Sequence, residues 1–344
     1  MIRITENKEL SSLTSFGTSA TANRLIEWSS AEALADFLRG EGGNFLRNGE
    51  KWTILGHGCN TLFTEDYKGT ILLSTATGME TIFRNDHYTL IRANAGEVWD
   101  NVVARCTAEG LWGAENLSAI PSSVGASAVQ NIGAYGVEAK DIIERVEYLD
   151  LETLELKSIP QVECEFGYRE SIFKHALSGK ALITAVVYRL SSIPAPRLDY
   201  GTLRPEVESI GGELTPAKIR EAVIRIRASK LPDPKVLGNA GSFFKNPILP
   251  RPQVERLKEL YPEMPIYPVA GSGEHLKIAT GWMIDHLGWK GRRVGRAAVH
   301  AHQALVLVNL GGATGKEVTA LAEQICREVN EKFGVEISPE VNIL

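Results

Sequence analysis

Apolar residues recur at helical spacing in residues 29–42, 96–113, 215–230, 277–288 and in a long C-terminal stretch. Each stretch predicts an amphipathic helix with one buried face. Gly40 and Gly110 are expected to end the first two helices, because glycine is common directly after a helix. The residues expected to face inward are Leu34, Phe37, Leu38, Val98, Val102, Cys106, Ile219, Val223, Ile226, Val318, Leu321, Ile325 and Val329.

A second set of apolar runs is shorter and is bounded by turn residues. The first run opens the segment 51–63 and leads into a glycine turn. The others are residues 69–74, 142–149, 182–190 and 304–310, and each run predicts a strand. Residues 121–136, PSSVGASAVQNIGAYG, are small, rich in glycine and almost uncharged, which predicts a loop. The mixture of helices and strands predicts an α+β fold.

Length, composition and charge narrow the class of protein. At 344 residues the chain is expected to form two or three domains. It has 44% hydrophobic residues and a net charge of −5, so we expect a globular protein without a nucleic-acid or membrane partner. The four cysteines are widely spaced, and the first residues lack the pattern of a signal peptide. A cytoplasmic location is therefore expected.

Common nucleotide and metal motifs are absent from the sequence. There is no G-x-G-x-x-G or H-E-x-x-H motif, and the pair His300 and His302 is not spaced for a helical metal site, so no bound metal is expected. Two glycine segments remain, the first at 56–63 (GHGCNTLF) and the second at 121–136. Because backbone N–H groups beside small residues can surround an anion, the two segments favour a nucleotide with a pyrophosphate.

Six motifs occur in order and carry a resemblance. They are GHGCNTLF, IPSSVGASAVQNIGAYG, GYRESIFK, LGNAGSFFKNP, HAHQALVLVN and SPEVNIL. Together they resemble the bacterial UDP-N-acetylenolpyruvoylglucosamine reductase family over essentially the whole chain. LDYGTL and KLPDPK resemble the form of this family with an extra tyrosine-bearing loop. The chain departs from the family at Cys59, where a serine is usual.

The resemblance implies a flavoenzyme with three domains. The family reduces the enolpyruvyl ether of a UDP-sugar, with FAD accepting hydride from NADPH and passing it to the β carbon. Residues 1–70 and 71–230 are expected to form an FAD-binding module of the type shared with flavin oxidases. Residues 231–330 are expected to bind substrate, and 331–344 to return to the active site. A monomer is expected.

The resemblance also implies three catalytic residues. Arg169 matches the arginine that binds the substrate carboxylate, since a guanidinium can contact two oxygens at once. Ser242 matches the residue that gives a proton to the α carbon, and Glu340 matches a carboxyl group that is neutral beside another carboxylate. Phe243 and Phe244 are expected to be core residues that anchor the turn around Ser242.

The same resemblance implies the binding residues. Tyr200, Lys230, Asn246 and Gln303 match positions around the UDP-sugar, the first two near its pyrophosphate. The residues expected to bind FAD are Gly56, His57, Gly58, Cys59, Asn60, Thr61, Pro121, Ser122, Ser123, Gly125, Ala126, Gln130, Asn131, Gly133, Ala134 and Tyr135.

Two other functions are compatible with the glycine segments. A flavin-dependent alcohol or sugar oxidase would share the FAD-binding fold and could bind its flavin through His57, the histidine of the first glycine segment. A non-catalytic nucleotide-binding module would need neither Arg169, Ser242 nor Glu340. Flavin that stays with the acid-precipitated protein would favour the oxidase, and a colourless purified protein would favour the module.

Overall fold

The computed structural model describes residues 1–269 and 272–344. These residues form two compact units. The first unit comprises Met1–Lys8, Ala22–His57 and Lys68–Ser229, and the second comprises Glu9–Thr21, Gly58–Tyr67 and Lys230–Leu344. The four-segment division at residues 70, 230 and 330 stays a prediction, because compactness alone does not assign a function to a segment.

The helices and strands are numbered here in chain order. The helices are α1 Ala31–Arg39, α2 Asn44–Arg47, α3 Trp99–Ala108, α4 Val124–Val129, α5 Leu203–Ile210, α6 Pro216–Lys230, α7 Arg251–Leu260, α8 Thr280–His286 and α9 Gly315–Phe333. The strands are β1 Ile2–Glu9, β2 Thr21–Trp28, β3 Trp52–Leu55, β4 Thr61–Leu62, β5 Tyr67–Ser74, β6 Met79–Arg84, β7 Tyr88–Asn94, β8 Gly133–Ala134, β9 Val137–Glu138, β10 Ile143–Asp150, β11 Leu156–Pro160, β12 Ala181–Ser191, β13 Gly238–Ser242, β14 Ile248–Pro250, β15 Ile266–Val269, β16 Ser272–Ile278, β17 Arg293–Val294, β18 Ala297–Val299, β19 Val306–Asn309 and β20 Asn342–Ile343.

Two sheets form the framework of the first unit. One has the order β1-β2-β5-β3, with β3 and β5 parallel, and the other has the order β11-β10-β12-β7-β6, with antiparallel neighbours. Strand β12 is buried along almost its whole length, as its mainly apolar and β-branched sequence predicts. The buried rings of Trp28, Trp99 and Tyr188 lie in the core of this unit.

The predicted helices of the first unit are confirmed with one correction. In α1 the Ser30 hydroxyl caps the helix by accepting from Ala33 N, and Leu34 and Leu38 are buried. In α3, Val102 and Cys106 are buried, but Val98 precedes the helix and is 40% exposed. Val98 therefore does not belong to the buried face, because a residue before the first turn does not follow the helical rotation.

The prediction of a loop over residues 121–136 is wrong in its middle. Residues Val124–Val129 form α4, and the Ser123 hydroxyl caps it by accepting from Ala126 N at 3.3 Å. A side chain at Gly125 would lie 3.1 Å from the Ala95 Cβ atom. Small residues allow this helix to pack closely against its neighbours. Because they are small and are buried on most sides of the helix, they lack the alternation of apolar and polar faces that predicts a helix.

The described residues of the second unit form further sheets and a long capped helix. The sheets have the orders β13-β19-β18-β17, β14-β16-β15 and β20-β4. Helix α9 begins with a capping box between Thr314 and Glu317 and ends at Gly334, which has a left-handed conformation. The predicted helix over 277–288 is confirmed only from Thr280, because Lys277 and Ile278 belong to β16.

The described residues contain neither a membrane-spanning helix nor a cluster of metal-ligating side chains. No helix in these two ranges has the length and apolarity needed to cross a bilayer. Residues 1–269 and 272–344 also contain no group of three or more His, Cys, Asp or Glu side chains that could bind a metal ion. Cys106 is buried, as expected from its place on the inward face of its helix. Cys164 is also buried, and Cys326 is half-buried.

Candidate cofactor and substrate site

The two glycine segments meet in the first unit. A side chain at Gly56 would approach the Ser123 Oγ atom to 2.8 Å and the Ala126 Cβ atom to 3.1 Å, so glycine permits this close packing. The next residue, His57, has its Nε2 atom 3.2 Å from the Gly96 carbonyl oxygen. Because a carbonyl oxygen accepts, Nε2 carries the hydrogen. The predicted cofactor segments are therefore adjacent in space.

The rest of the first glycine segment belongs to the second unit. Gly58 has φ of +62°, and a side chain there would overlap the Leu13 carbonyl oxygen. Asn60 donates from Nδ2 to the Glu340 carbonyl oxygen at 3.1 Å. Burial raises the pKa of the Cys59 thiol to about 11, so this thiol is protonated at neutral pH and is a weak nucleophile.

A tight turn at the end of the second glycine segment contacts Arg169. The guanidinium donates from Nη2 to the Gly133 carbonyl oxygen at 2.9 Å and from Nη1 to the Asn131 carbonyl oxygen at 3.5 Å. Asn131 is fully buried and donates from Nδ2 to the Gly167 carbonyl oxygen at 2.7 Å. Three residues have positive φ, at +42° for Asn131, +49° for Tyr135 and +60° for Arg169. Such backbone is costly and is often found at binding sites.

Tyr135 and Tyr200 lie together in the first unit. Their rings are edge to face, with centroids 6.1 Å apart. Tyr200 is 48% exposed. Burial raises the pKa of the Tyr135 hydroxyl, while the positive charge of Arg227 opposes that shift. The Tyr135 phenol is therefore a neutral hydrogen-bonding group at neutral pH.

A charged network behind the second glycine segment is absent from the sequence predictions. Asp100 accepts from Arg220 at 2.6 and 2.7 Å and from the Ala119 N–H at 2.6 Å. Arg227 donates from Nε to the Ala119 carbonyl oxygen at 3.2 Å. Both arginines lie on α6. Their partners, Asp100 and Ala119, are more than 100 positions away in the sequence, so only the fold identifies these contacts.

Ser242 is the last residue of β13 in the second unit. It follows Gly241, which has φ of +68°, and the pairing of β13 with β19 is irregular at this point. The Phe243 N–H donates to the Leu305 carbonyl oxygen at 2.7 Å. Phe243 and Phe244 are 0% and 1% exposed, which confirms that they are core residues, while Ser242 itself is half-buried.

The C-terminal segment places Glu340 beside the serine turn. The Glu340 N–H donates to the Phe243 carbonyl oxygen at 2.7 Å, and the Lys245 N–H donates to the Ser338 carbonyl oxygen at 2.9 Å. Strand β20 follows directly and pairs in parallel with β4, which contains Thr61. The second unit therefore brings the main chain at Glu340 next to the residue that follows Ser242.

Two of the expected substrate residues flank the serine turn. The Asn246 side-chain oxygen accepts from the Thr280 N–H at 3.0 Å, which leaves the amide N–H₂ group as its donor. The Gln303 side-chain oxygen accepts from the Leu305 N–H at 3.4 Å, and Leu305 contacts the serine turn. Lys230 is exposed at the end of α6.

The predicted residues thus divide between the units. The first unit contains Gly56, His57, Pro121, Ser122, Ser123, Gly125, Ala126, Gln130, Asn131, Gly133, Ala134, Tyr135, Arg169 and Tyr200, and the second contains Gly58, Cys59, Asn60, Thr61, Lys230, Ser242, Asn246, Gln303 and Glu340.

The residues beside the second glycine segment fit a bound polar group such as FAD. The Ser122 and Ser123 hydroxyls already make hydrogen bonds within the chain. By contrast, the Gln130 Nε2 and Asn116 Oδ1 atoms are buried and have no hydrogen-bond partner among the described residues. One donor and one acceptor of this kind are expected where a ligand or water completes the site.

Two family models match the chain. Residues 29–153 match an FAD binding domain, and residues 233–344 match the C-terminal domain of UDP-N-acetylenolpyruvoylglucosamine reductase. The matched domain and the adjoining glycine segments define the chain as a flavin-binding oxidoreductase of α+β fold. The fold prediction, with its FAD-binding module, is thereby confirmed.

Similar proteins identify the family. A UDP-N-acetylenolpyruvoylglucosamine reductase from Bacteroides fragilis is 47% identical over 329 residues, covering 96% of both chains. Another from Bdellovibrio bacteriovorus is 41% identical over 339 residues, covering 98% of this chain and 99% of the relative. The chain belongs to the UDP-N-acetylenolpyruvoylglucosamine reductase family. The crystal structure of the Thermus caldophilus reductase has the same fold, with a TM-score of 0.65, 23% identity and coverage of 100% and 98%.

Proposed function

We propose that this chain reduces the enolpyruvyl ether of UDP-N-acetylglucosamine-enolpyruvate to UDP-N-acetylmuramate, a peptidoglycan precursor. NADPH is the electron donor and FAD the bound cofactor. The relatives from Bacteroides fragilis and Bdellovibrio bacteriovorus carry the name of this reductase. The proposal makes the chain a cytoplasmic oxidoreductase that acts on a carbon–carbon double bond as a monomer.

When bound, FAD supplies hydride transfer from NADPH to the β carbon of the enol ether. The chain's own residues must manage charge and protons. Arg169 contacts the substrate carboxylate, where negative charge grows as the β carbon accepts hydride. Its half-buried guanidinium is fixed by two backbone carbonyl oxygens, so it needs little reorganisation during the reaction.

Ser242 gives the proton to the α carbon. Its hydroxyl follows a left-handed glycine and precedes two buried phenylalanines, so the main chain around it is fixed. Glu340 assists the proton transfer through its carboxyl group. The observation that supports this assignment best is the 2.7 Å hydrogen bond between the Glu340 N–H and the Phe243 carbonyl oxygen.

The substrate's UDP group requires donors for its phosphates. Lys230 and Tyr200 serve its pyrophosphate, the first as a point charge and the second through its phenol. Asn246 and Gln303 bind the sugar through the amide N–H₂ groups that their internal contacts leave as donors.

Product analysis tests this proposal. Purified protein is incubated with NADPH and the enolpyruvyl substrate, and in parallel with NADH. We expect NADPH oxidation and a product heavier by two hydrogen atoms. Flavin that stays in the acid-precipitated pellet, with oxygen consumed on an alcohol or sugar, would support the oxidase instead. A colourless protein that oxidises no NADPH would support the nucleotide-binding module.

A further inference from the structure

Lys174 has no role in the proposed reaction so far, yet its side chain connects two parts of the site. It is half-buried at the end of a short 3-10 turn, Ile172–Lys174, in the first unit. Its Nζ atom donates to the Gln130 side-chain oxygen at 3.1 Å and to the Arg169 carbonyl oxygen at 2.8 Å. One ammonium group therefore contacts both the second glycine segment and the proposed carboxylate-binding arginine.

The contact with Lys174 fixes the orientation of the Gln130 amide. An ammonium group has only donors, so the atom that faces it must be the amide oxygen. The other amide atom, Nε2, is consequently turned away from Lys174. This Nε2 atom is buried and has no acceptor in the part of the chain that the structure describes. Buried donors are nearly always paired in folded proteins, which points to an acceptor on a ligand.

We propose that Lys174 is a positioning residue that aims the Gln130 N–H₂ group at a carbonyl oxygen of the bound flavin. This inference rests on the proposed FAD function. Lys174 itself does not touch the flavin. Its second bond, to the carbonyl oxygen of Arg169, fixes the residue whose φ is +60°. The same ammonium thus orders the flavin donor and the substrate arginine.

Lys174 should therefore influence the redox potential of the bound flavin. Reduction places more negative charge on the flavin carbonyl oxygens, so a fixed donor there stabilises the reduced form more than the oxidised form. Without Lys174 the amide can rotate, and water or the amide oxygen can replace the N–H₂ group. The midpoint potential of the bound FAD should then fall, whereas a loss of packing alone would weaken FAD retention without this shift.

The test is the midpoint potential of FAD bound to Lys174→Met, measured against a reference dye. We expect about a tenfold loss of preference for the reduced flavin, which is roughly 30 mV for a two-electron couple. Lys180→Met is the control, since Lys180 lies in the same unit, is 53% exposed and pairs with the exposed Glu152. The control should have the wild-type potential.

A double-variant cycle shows whether Lys174 acts through Gln130. Gln130→Leu removes the donor directly and should lower the potential by a similar amount, and Lys174→Met should then lower it no further. Additive shifts, or a wild-type or raised potential in Lys174→Met, would overturn the inference. If that variant does not fold, Lys174→Gln and Gln130→Leu carry the same test. Wild-type protein that binds no FAD would refute the proposed function instead.

Discussion

Ser242 carries an ordinary alcohol, which is a weak acid, so its position has to make proton transfer effective. Gly241 allows the left-handed turn before it, and Phe243 and Phe244 are buried after it. Family motifs predicted this residue and its anchors from the sequence. The backbone bond from Glu340 to Phe243 could not be predicted by periodicity, because almost 100 residues separate them.

Ser242→Ala should damage only the half-reaction that protonates the α carbon. The variant is expected to bind FAD and accept hydride from NADPH at close to the wild-type rate. Flavin reoxidation by the enolpyruvyl substrate should slow by about 10²–10⁴-fold, the usual contribution of a general acid. Stopped-flow absorbance measures both steps. Equal damage to both steps would show that Ser242 only shapes the turn.

Arg169→Lys should lose activity, although the substitution keeps the positive charge. The arginine uses two nitrogen atoms to contact the carbonyl oxygens of Gly133 and Asn131. Its planar guanidinium has five N–H donors, which suits contact with a carboxylate as well. A lysine has a single nitrogen atom and cannot do both. We expect kcat and kcat/KM to fall together. A raised KM with a wild-type kcat would mean that Arg169 only binds substrate.

At the scale of elements, Gly56 of the first glycine segment packs against the start of helix α4, which lies within the second glycine segment. The glycine content predicted close backbone approach, and Gly56 against Ser123 and Ala126 agrees with it. Helix α4 was missed because its residues are small and uniformly buried. The Asp100 network was missed because nothing in the local pattern of α6 indicates what its arginines contact.

Gly56→Ala should weaken both stability and FAD affinity. The new methyl group would lie 2.8 Å from the Ser123 hydroxyl oxygen, which caps α4, so this hydroxyl must leave its position. Loss of the cap and crowding together should cost about 1–3 kcal/mol. Flavin titration and urea unfolding measure the two effects. Gly40→Ala is the control, because its nearest atom is at 3.6 Å; an equal loss there would contradict the packing argument.

Asp100→Asn should lower stability in a pH-dependent way. Burial favours a raised pKa for Asp100, but hydrogen bonds from Arg220 and Ala119 outweigh it and place the pKa below its usual value. A carboxylate whose pKa is lower in the folded than in the unfolded state stabilises the protein at every pH above its unfolded-state pKa. That stabilisation is lost as the pH falls through the folded-state pKa. We therefore expect a loss of about 1–3 kcal/mol at pH 7 that shrinks below about pH 4.

Unfolding midpoints at several pH values check the Asp100 prediction. Asp36→Asn serves as the control, because Asp36 is 77% exposed and pairs with Arg39 on the same helix. An exposed pair of this kind should change stability by less than about 1 kcal/mol. A loss at Asp100 that stays constant from pH 7 to pH 3 would contradict the role assigned to its charge.

At the scale of the whole molecule, the sequence predicted the α+β class and the family. It did not predict that the contact pattern divides the chain into two discontinuous units, with residues 9–21 and 58–67 in the second. The pattern of apolar residues reports only on neighbours along the chain, so it does not show that residues 9–21 and 58–67 pack with residues 230–344. Each unit contributes residues that the proposed mechanism requires, Arg169 in the first and Ser242 with Glu340 in the second.

The central claim is that electrons pass from NADPH to bound flavin and then to the enolpyruvyl substrate. Anaerobic stopped-flow absorbance on the wild-type protein tests it most directly. We predict that NADPH bleaches the flavin absorbance and that the enolpyruvyl substrate, added in a second mixing step, restores it. Flavin that NADPH does not bleach, or that stays reduced until oxygen is admitted, would contradict the claim.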